Sequence, residues 1–226
     1  MKLSIIIPVF NEENTIEELI RRVFAVSLPI EKEIIVVDDG SFDNTNKILK
    51  KLKKEINFIS QEHPKNRGKG AAIKTGLKQA TGEFILIQDA DLEYDPKDYS
   101  NLIRPLLEGK AEVVYGSRML GKNKKGYLTF YLGGRFLTFL TNLLYGLNIT
   151  DESTGYKAFK SEVLKNVDLK CEGFEFCPEI TAKIAKKGIK IYEVPISYNA
   201  RYLKEGKKIK VKDGLKAVWT LIKYKF

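Results

Sequence analysis

Apolar and polar positions fall into blocks of two different periods along the first hundred residues. The run "KLSIIIPVF" (2–10) is apolar and β-branched, ends around Pro8, and predicts a buried strand. In "NEENTIEELIRRVFAV" (11–26) Ile16, Leu19, Ile20 and Val23 keep helical spacing. Asn11 reads as the cap of that helix, with Glu12 and Glu13 in its first turn, where acids meet the positive end of the helix dipole. "KEIIVVDDGS" (32–41) predicts a second buried strand, "DNTNKILKKLKK" (43–54) an amphipathic helix and "INFISQ" (56–61) a short strand. "NRGKGAAIKTGLKQA" (66–80) is a Gly-rich turn into a helix, and "GEFILIQDAD" (82–91) is the next strand. Strands that are apolar on both faces and alternate with helices argue an α/β fold with a mostly parallel central sheet.

The second half is less regular. "EVVYGSRM" (112–119) reads as a strand and loop, "STGYKAF" (153–159) and "IKIYEVPISY" (189–198) as strands, and "FCPEITAKIAKKG" (176–188) as a helix. "VKDGLKAVWTLIKYKF" (211–226) reads as a final helix. The apolar stretch from Tyr127 to Leu147 is about as long as a membrane span, which takes roughly 20 residues. Gly133-Gly134-Arg135 sits near its middle, and a charge at bilayer depth is costly. Phe136, Leu140, Leu143, Leu144 and Leu147 hold a helical stripe. An interfacial amphipathic segment fits this stretch better than a span, and a plain core helix fits it as well. With no internal repeat and no low-complexity linker, one domain over residues 1–226 is expected.

Charge sharpens the picture at one end. The chain carries +10 overall, and residues 201–226 hold nine Lys/Arg against two Asp/Glu, or +7 of it. A local basic segment points to an anionic partner such as nucleic acid, lipid headgroups or a phosphorylated substrate. In the final helix Lys212, Lys216, Lys223 and Lys225, with Lys210 just before it, accompany Val218, Trp219 and Ile222, a pattern suited to an anionic membrane surface. No recognised DNA- or RNA-binding motif accompanies the charge, so nucleic acid is not an expected partner. Cys171 and Cys177 make neither a disulfide scaffold nor a zinc site. His63, the sole histidine, reads as a surface residue before Pro64 and leaves zinc or triad chemistry almost nothing to work with. With a strand pattern opening the chain, the cytoplasm is the expected compartment.

In parallel sheets ligands bind at the carboxyl ends of the strands, where Asp38, Asp39, Asp89 and Asp91 all fall. "FILIQDADLEYD" (84–95) then sets Asp89, Asp91, Glu93 and Asp95 at every second position. Residues leaving a strand alternately share a side, so such carboxylates can hold a hard divalent cation together with substrate phosphates. D-x-D alone is a weak motif, common by chance. Asp95, before Pro96, is expected to cap the next helix. Gly68-Lys69-Gly70 is not a phosphate-binding P-loop and reads as turn geometry, with Arg67 near the site.

The order "PVFNEE", "VVDDGS", "NRGKGAAIKTGLKQATGE", "QDADLEY", "GSR" (116–118) and "STGYKAF" resembles the family 2 glycosyltransferases. Within them it looks most like the polyprenyl-phosphate enzymes, such as the dolichol-phosphate mannose synthases, through "DESTGYKAF", "GFEFCPEI" and "VPISYNARYLKEGKKI". The resemblance implies a GT-A fold, with a Rossmann-like nucleotide-sugar half over about 1–118 and an acceptor and membrane-facing half over about 119–226. It implies a metal-dependent inverting transfer of mannose or glucose from GDP-mannose or UDP-glucose to a polyprenyl or dolichyl phosphate. Mg2+ or Mn2+ would be the cofactor, held by Asp91 and Glu93. Pro8, Phe10, Glu12, Val37 and Asp39 would line the nucleoside pocket, and Asp89, Ala90 and Asp91 the ribose-diphosphate side. Arg118, Arg201 and Lys207 would contact phosphates, and Arg135 the acceptor phosphate. Asp89, Asp91 and Arg118 would be the catalytic set. Many relatives continue into transmembrane helices, so a chain ending at Phe226 would be a peripheral version on the cytoplasmic face, or a truncated one, with a membrane protein as a further partner.

Two rivals stand beside this reading. Transfer to a saccharide hydroxyl would need a carboxylate base, for which Glu175 is the one candidate, although it also reads as an ordinary helix-start acid. The Q-x-x-R-W signature of processive synthases is missing, since Trp219 is the only tryptophan. A nucleotidyltransferase would share the α/β layout, but no G-x-G-T-R-type run opens the chain.

Overall fold

Strand β1 (Lys2–Val9) runs through the middle of a seven-stranded sheet in the order β3-β2-β1-β4-β6-β5-β7. The computed structural model describes residues 1–123, 127–201, 208 and 211–226. β2 (Glu31–Asp38) and β4 (Phe84–Ile87) flank β1, both parallel to it, and β3 (Ile59–Glu62) extends the sheet beside β2. β6 (Lys157–Lys160) is antiparallel to both β4 and β5 (Val113–Ser117), and β7 (Ile191–Pro195) closes that side parallel to β5. The mostly parallel α/β sheet expected from the pattern is therefore present.

Both faces of β1 are buried because successive side chains point to opposite sides. Leu3, Ile5, Ile7 and Val9 pack with α1 (Ile16–Ala25), α2 (Thr45–Leu52) and α4 (Tyr99–Leu107). Ile6 packs on the other side with α3 (Lys69–Gln79), α6 (Ser161–Lys165) and α7 (Phe176–Lys186). The remaining helices, α5 (Leu128–Tyr145) and α8 (Val211–Lys225), pack against each other and against α7, away from the three strands that carry the acidic ends.

Three local expectations need correction. Asn11 does not cap α1, which starts a turn later at Ile16. Asn11 instead takes a left-handed backbone (φ 49°), accepts a hydrogen bond from the Phe42 amide and donates its own amide to Ser41 Oγ. It braces the Asp38–Ser41 turn, and Glu12 is freed from the helix to enter the crevice. His63 is 6% exposed rather than at the surface, because its ring bridges Asp39 Oδ1 (2.6 Å) and Thr75 Oγ1 (2.8 Å). α5 is no plain core helix: its inward residues are Thr138 and Thr141, while Leu128, Leu132, Phe136, Phe139 and Leu143 face outward. Asp95 does cap the following turn (Pro96–Asp98), accepting from the Lys97 amide at 3.0 Å.

Candidate active site

β1, β2 and β4 are neighbours and parallel, so the loops after them open on the same edge of the sheet. The loop after β1 supplies Glu12, the loop after β2 Asp39, and the loop after β4 Asp89, Asp91 and Glu93. Thr15 Oγ1 sits 2.8 Å from the Ala90 carbonyl and 2.9 Å from Glu12 Oε2, tying the first loop to the third.

The carboxylates differ in what holds them. Asp39, 2% exposed, accepts from the Arg67 and Gly68 amides, the Asn66 side chain and His63. It shapes the turn into α3, where Gly68 has φ 99°, a conformation L side chains rarely adopt. A Cβ on Gly68 would also lie 2.3 Å from the Glu172 carbonyl. Asp89 pairs with Lys69 Nζ at 2.5 Å. Burial works against the Lys69 ammonium, but the surrounding acidic groups, Asp89 foremost, together raise its pKa. Gly155 lies so close to Asp89 that a Cβ there would meet Oδ2 at 2.1 Å.

Of Glu12, Asp89 and Asp91, Asp91 has the longest ion pair, 3.3 Å to Arg201 Nη2. Burial, and then the charges of Asp89 and Glu93, push its carboxyl up to about 7, against the pull of Arg201. Glu93 accepts from Tyr198 OH (3.0 Å) and from the Arg201 amide (2.7 Å), and the Tyr94–Tyr198 bridge holds that segment against the third loop. Arg201 donates through Nη1 and Nη2 to Glu12 at 2.9 and 3.1 Å, and Nη2 lies 3.3 Å from Asp91 Oδ2. Lys208 Nζ donates to Glu12 Oε1 at 2.7 Å and to the main-chain oxygens of Phe10 and Asn11.

Arg118, at the end of β5, is held by Asp151, which accepts from its backbone amide, Nε and Nη2 at 3.0, 2.7 and 2.7 Å. Its guanidinium lies over the Tyr198 ring, 5.1 Å from the centroid. Asp151 is positioned in turn by Glu193 on β7, whose carboxylate accepts the Thr150 and Asp151 amides.

The structure thus brings Glu12, Asp89, Ala90, Asp91, Glu93 and Arg201 together, and joins Arg118 to them through Tyr198. Pro8 and Val37 are buried register partners in β1 and β2, beneath the crevice. Phe10 sits edge-to-face with Phe42 at 5.9 Å. Arg135 stands elsewhere, on the exposed face of α5. Lys207 lies outside the described residues. Lys69, Tyr198, Asp151 and Gly155 belong to the site without having been singled out from the sequence. Lys69 stands in the Gly68-Lys69-Gly70 turn and the other three in the runs "DESTGYKAF" and "VPISYNARYLKEGKKI", which pointed to a family and not to these contacts.

A divalent cation fits this chemistry. Asp91 is a carboxylate short of positive charge in a crevice of carboxylates. Among the described residues no three carboxylate, thiol or imidazole groups converge as a ready-made cage.

Known proteins resemble this chain in sequence and in fold. A protein of Methanocaldococcus jannaschii with no characterised role is 34% identical, over 99% of this chain and 92% of its own length. The UDP-N-acetylglucosamine–dolichyl-phosphate N-acetylglucosaminyltransferase of Methanococcus voltae is 34% identical over 86% of this chain and 84% of its own. The dolichol-phosphate mannosyltransferase of Pyrococcus furiosus is 31% identical over 92% of this chain and 59% of its own. Among solved structures, glucosyl-3-phosphoglycerate synthase from Mycobacterium tuberculosis, with Mn2+, UDP and glucosyl-3-phosphoglycerate, superposes with a TM-score of 0.77. It covers 99% of this chain and 79% of its own at 21% identity, a likeness of GT-A fold. The sequence model for "Glycosyl transferase family 2" matches residues 4–168, from β1 past α6, and takes in the loops after β1, β2 and β4 and Arg118 with Asp151. The chain belongs to glycosyl transferase family 2.

Proposed function

We propose that this glycosyltransferase moves a hexose, mannose or glucose, from GDP-mannose or UDP-glucose to a polyprenyl or dolichyl phosphate, with inversion at the anomeric carbon. The observation that carries the acceptor class is the inverted burial of α5. Phe136 and Phe139 are 55% and 64% exposed, with Leu128, Leu132 and Leu143 on the same face, while threonines face inward. A contiguous apolar face that folding leaves in water marks an interaction surface. Arg135 is exposed within this stripe, so a phosphate joined to an apolar chain matches it in both parts. The adjoining α8 exposes Leu215, Trp219 and Ile222, with Lys212, Lys216, Lys223 and Lys225 also exposed. Among the described residues no helix is long and apolar enough to cross a membrane. The two helices together suit a peripheral position on an anionic membrane, at its cytoplasmic face, where a membrane protein could meet the same surface. The relatives from Methanococcus voltae and Pyrococcus furiosus, named for dolichyl-phosphate acceptors, support this reading.

Residues 1–118 would form the donor half and 119–226 the acceptor half. Phe10, Asp39, Pro8 and Val37 would frame the nucleoside, and Asp89 and Ala90 the ribose side. Asp91 would hold the Mg2+ or Mn2+, with Glu93 second because both its oxygens already hold Tyr198 and the Arg201 amide. The ion would stabilise charge on the departing diphosphate. Arg118, held rigidly by Asp151, and Arg201 and Lys207 would supply further positive charge at the diphosphate. A phosphate monoester, with a second pKa of about 6, attacks as a dianion and needs no strong base. The structure supports such a path: His63 is locked between Asp39 and Thr75, and the Glu175 carboxylate accepts amides of its own loop.

The test is transfer of radiolabel from a panel of nucleotide sugars, with Mg2+ or Mn2+, to a polyprenyl phosphate. Label should enter the organic phase; label found only in water-soluble glycan would overturn the acceptor assignment. Arg135→Ala should raise the acceptor KM by about tenfold or more at saturating donor, since it removes a charge-assisted phosphate contact.

A further inference from the structure

Three acidic side chains of the proposed donor site, Glu12, Asp89 and Asp91, are already touched by a cation of the chain itself. Lys69 holds Asp89, while Arg201 holds Glu12 and reaches Asp91. Lys208 adds a second contact to Glu12, which is only 7% exposed. The fit is incomplete. Among the described residues Arg201 Nε is buried without a hydrogen-bond partner, and the contact to Asp91 is long, at 3.3 Å. A guanidinium with an unspent buried donor is costly to leave so. The planar fork that here spans the two oxygens of Glu12 has the shape that two phosphate oxygens also take.

We propose that Arg201 is the resident counter-ion of the ligand-free donor site, and that binding of a metal and nucleoside diphosphate is an exchange of cations. This rests on the donor-site reading above. In the ligand-free protein the guanidinium neutralises Glu12 and offsets part of the charge of Asp91. A divalent ion cannot share Asp91 Oδ2 with it, because the two positive charges would lie a few ångström apart in a poorly solvated crevice. The ion takes Asp91, and the guanidinium moves to the incoming diphosphate, whose oxygens satisfy its donors. The metal alone then binds weakly, since it pushes a guanidinium still held by Glu12 away from Asp91 without offering an anion in exchange for that contact. With the diphosphate present both cations are satisfied and the two ligands favour each other's binding.

The consequence is a pair of effects of opposite sign, which a purely structural arginine would not give. Mn2+ binding to the full chain is followed by the loss of the free-ion EPR signal, first without nucleotide. Arg201→Gln should bind Mn2+ about tenfold more tightly than the unsubstituted chain, as a competing charge is gone. UDP and GDP are then titrated calorimetrically at saturating Mn2+, and whichever the unsubstituted chain binds should bind Arg201→Gln about tenfold more weakly. Arg201→Lys, measured in parallel, keeps the charge and should leave Mn2+ affinity near the original value, so the difference between the Gln and Lys variants isolates charge from any loss of packing. Asp91→Asn is the control on the donor-site reading. If it keeps full Mn2+ affinity, that reading fails by itself. If it loses Mn2+ while Arg201→Gln binds the ion no more tightly than Arg201→Lys, the counter-ion assignment is overturned and the donor site stands.

Discussion

Two carboxylates flank the central strand at opposite ends of the sheet and have opposite fates. Glu33, in the amino half of β2, pairs with Lys2 and accepts from Ser4 Oγ, Thr81 and the Gly82 amide. Burial alone would raise its pKa, but hydrogen bonds from Lys2, Ser4 and Thr81 outweigh it and bring it down to about 2. Asp91, past the carboxyl end of β4, is pushed up to about 7 by burial and by Asp89 and Glu93. At one end the chain supplies every donor the carboxylate needs. At the other it crowds like charges, and in the proposed donor site a metal and its diphosphate would make up the deficit. Local stability is commonly given up in this way at functional sites.

The largest effect expected is at the crowded end. Asp91→Asn should lower turnover by about a thousandfold or more, the scale of losing a metal ligand and its charge stabilisation. The same substitution should raise stability in the absence of divalent ions. A carboxyl whose folded pKa is raised stabilises the fold below its ordinary pKa of about 4, and that contribution is lost as pH rises through about 7. Calorimetry at pH 5 and pH 8 in EDTA should show the Asn variant further ahead at the higher pH. No difference between the two pH values would remove the contrast.

Glycines beside the two carboxylates offer the next test. A Cβ at Gly155 would collide with Asp89 Oδ2, whereas one at Gly82 would lie 2.6 Å from the Lys2 carbonyl and 2.9 Å from the Ser4 amide. Gly155→Ala should cut kcat/KM by about a hundredfold, since displacing a site group by an ångström costs that much. Gly82→Ala should instead lower the Tm and leave kcat/KM of the folded protein nearly unchanged. A reversed pattern would show that the division between the ends is wrong.

The smallest effect is at Glu33. Glu33→Gln should cost about 2 kcal/mol at pH 7, a value reduced for the solvent that still reaches the pair. A depressed folded pKa means this stability is present above about 4.5 and is lost as pH falls towards 2. Urea melts at pH 7 and pH 3 should show the gap between the two proteins narrowing.

Much of the fold was legible because its signals are local. The apolar runs at 3–7, 34–37 and 84–87 could only be strands buried on both faces, and the acidic residues following them had to open on one edge once the strands were parallel. Legibility failed where a residue with a good local role was claimed by a distant one. Asn11 has the chemistry of a helix cap but is taken by Phe42 and Ser41. His63 precedes a proline as surface residues often do, but is drawn in by Asp39, twenty-four residues earlier. The stripe read at Phe136, Leu140, Leu143, Leu144 and Leu147 meets the exposed face of α5 only at Phe136 and Leu143, Leu147 lies beyond the helix, and the pattern did not say which way it faced. Apolar spacing reports only that one face differs from the other.

The sequence by itself determined the order of elements, the acidic strand ends and the family, because strand periodicity and short motifs are contained within a few residues. Tertiary structure alone decided which cation meets which carboxylate. Arg201 finds Glu12 across 189 residues, Asp151 finds Arg118 across 33, and Lys69 finds Asp89 on the next strand. Such pairings depend on where chain closure brings distant segments, and neither partner's local sequence carries that information.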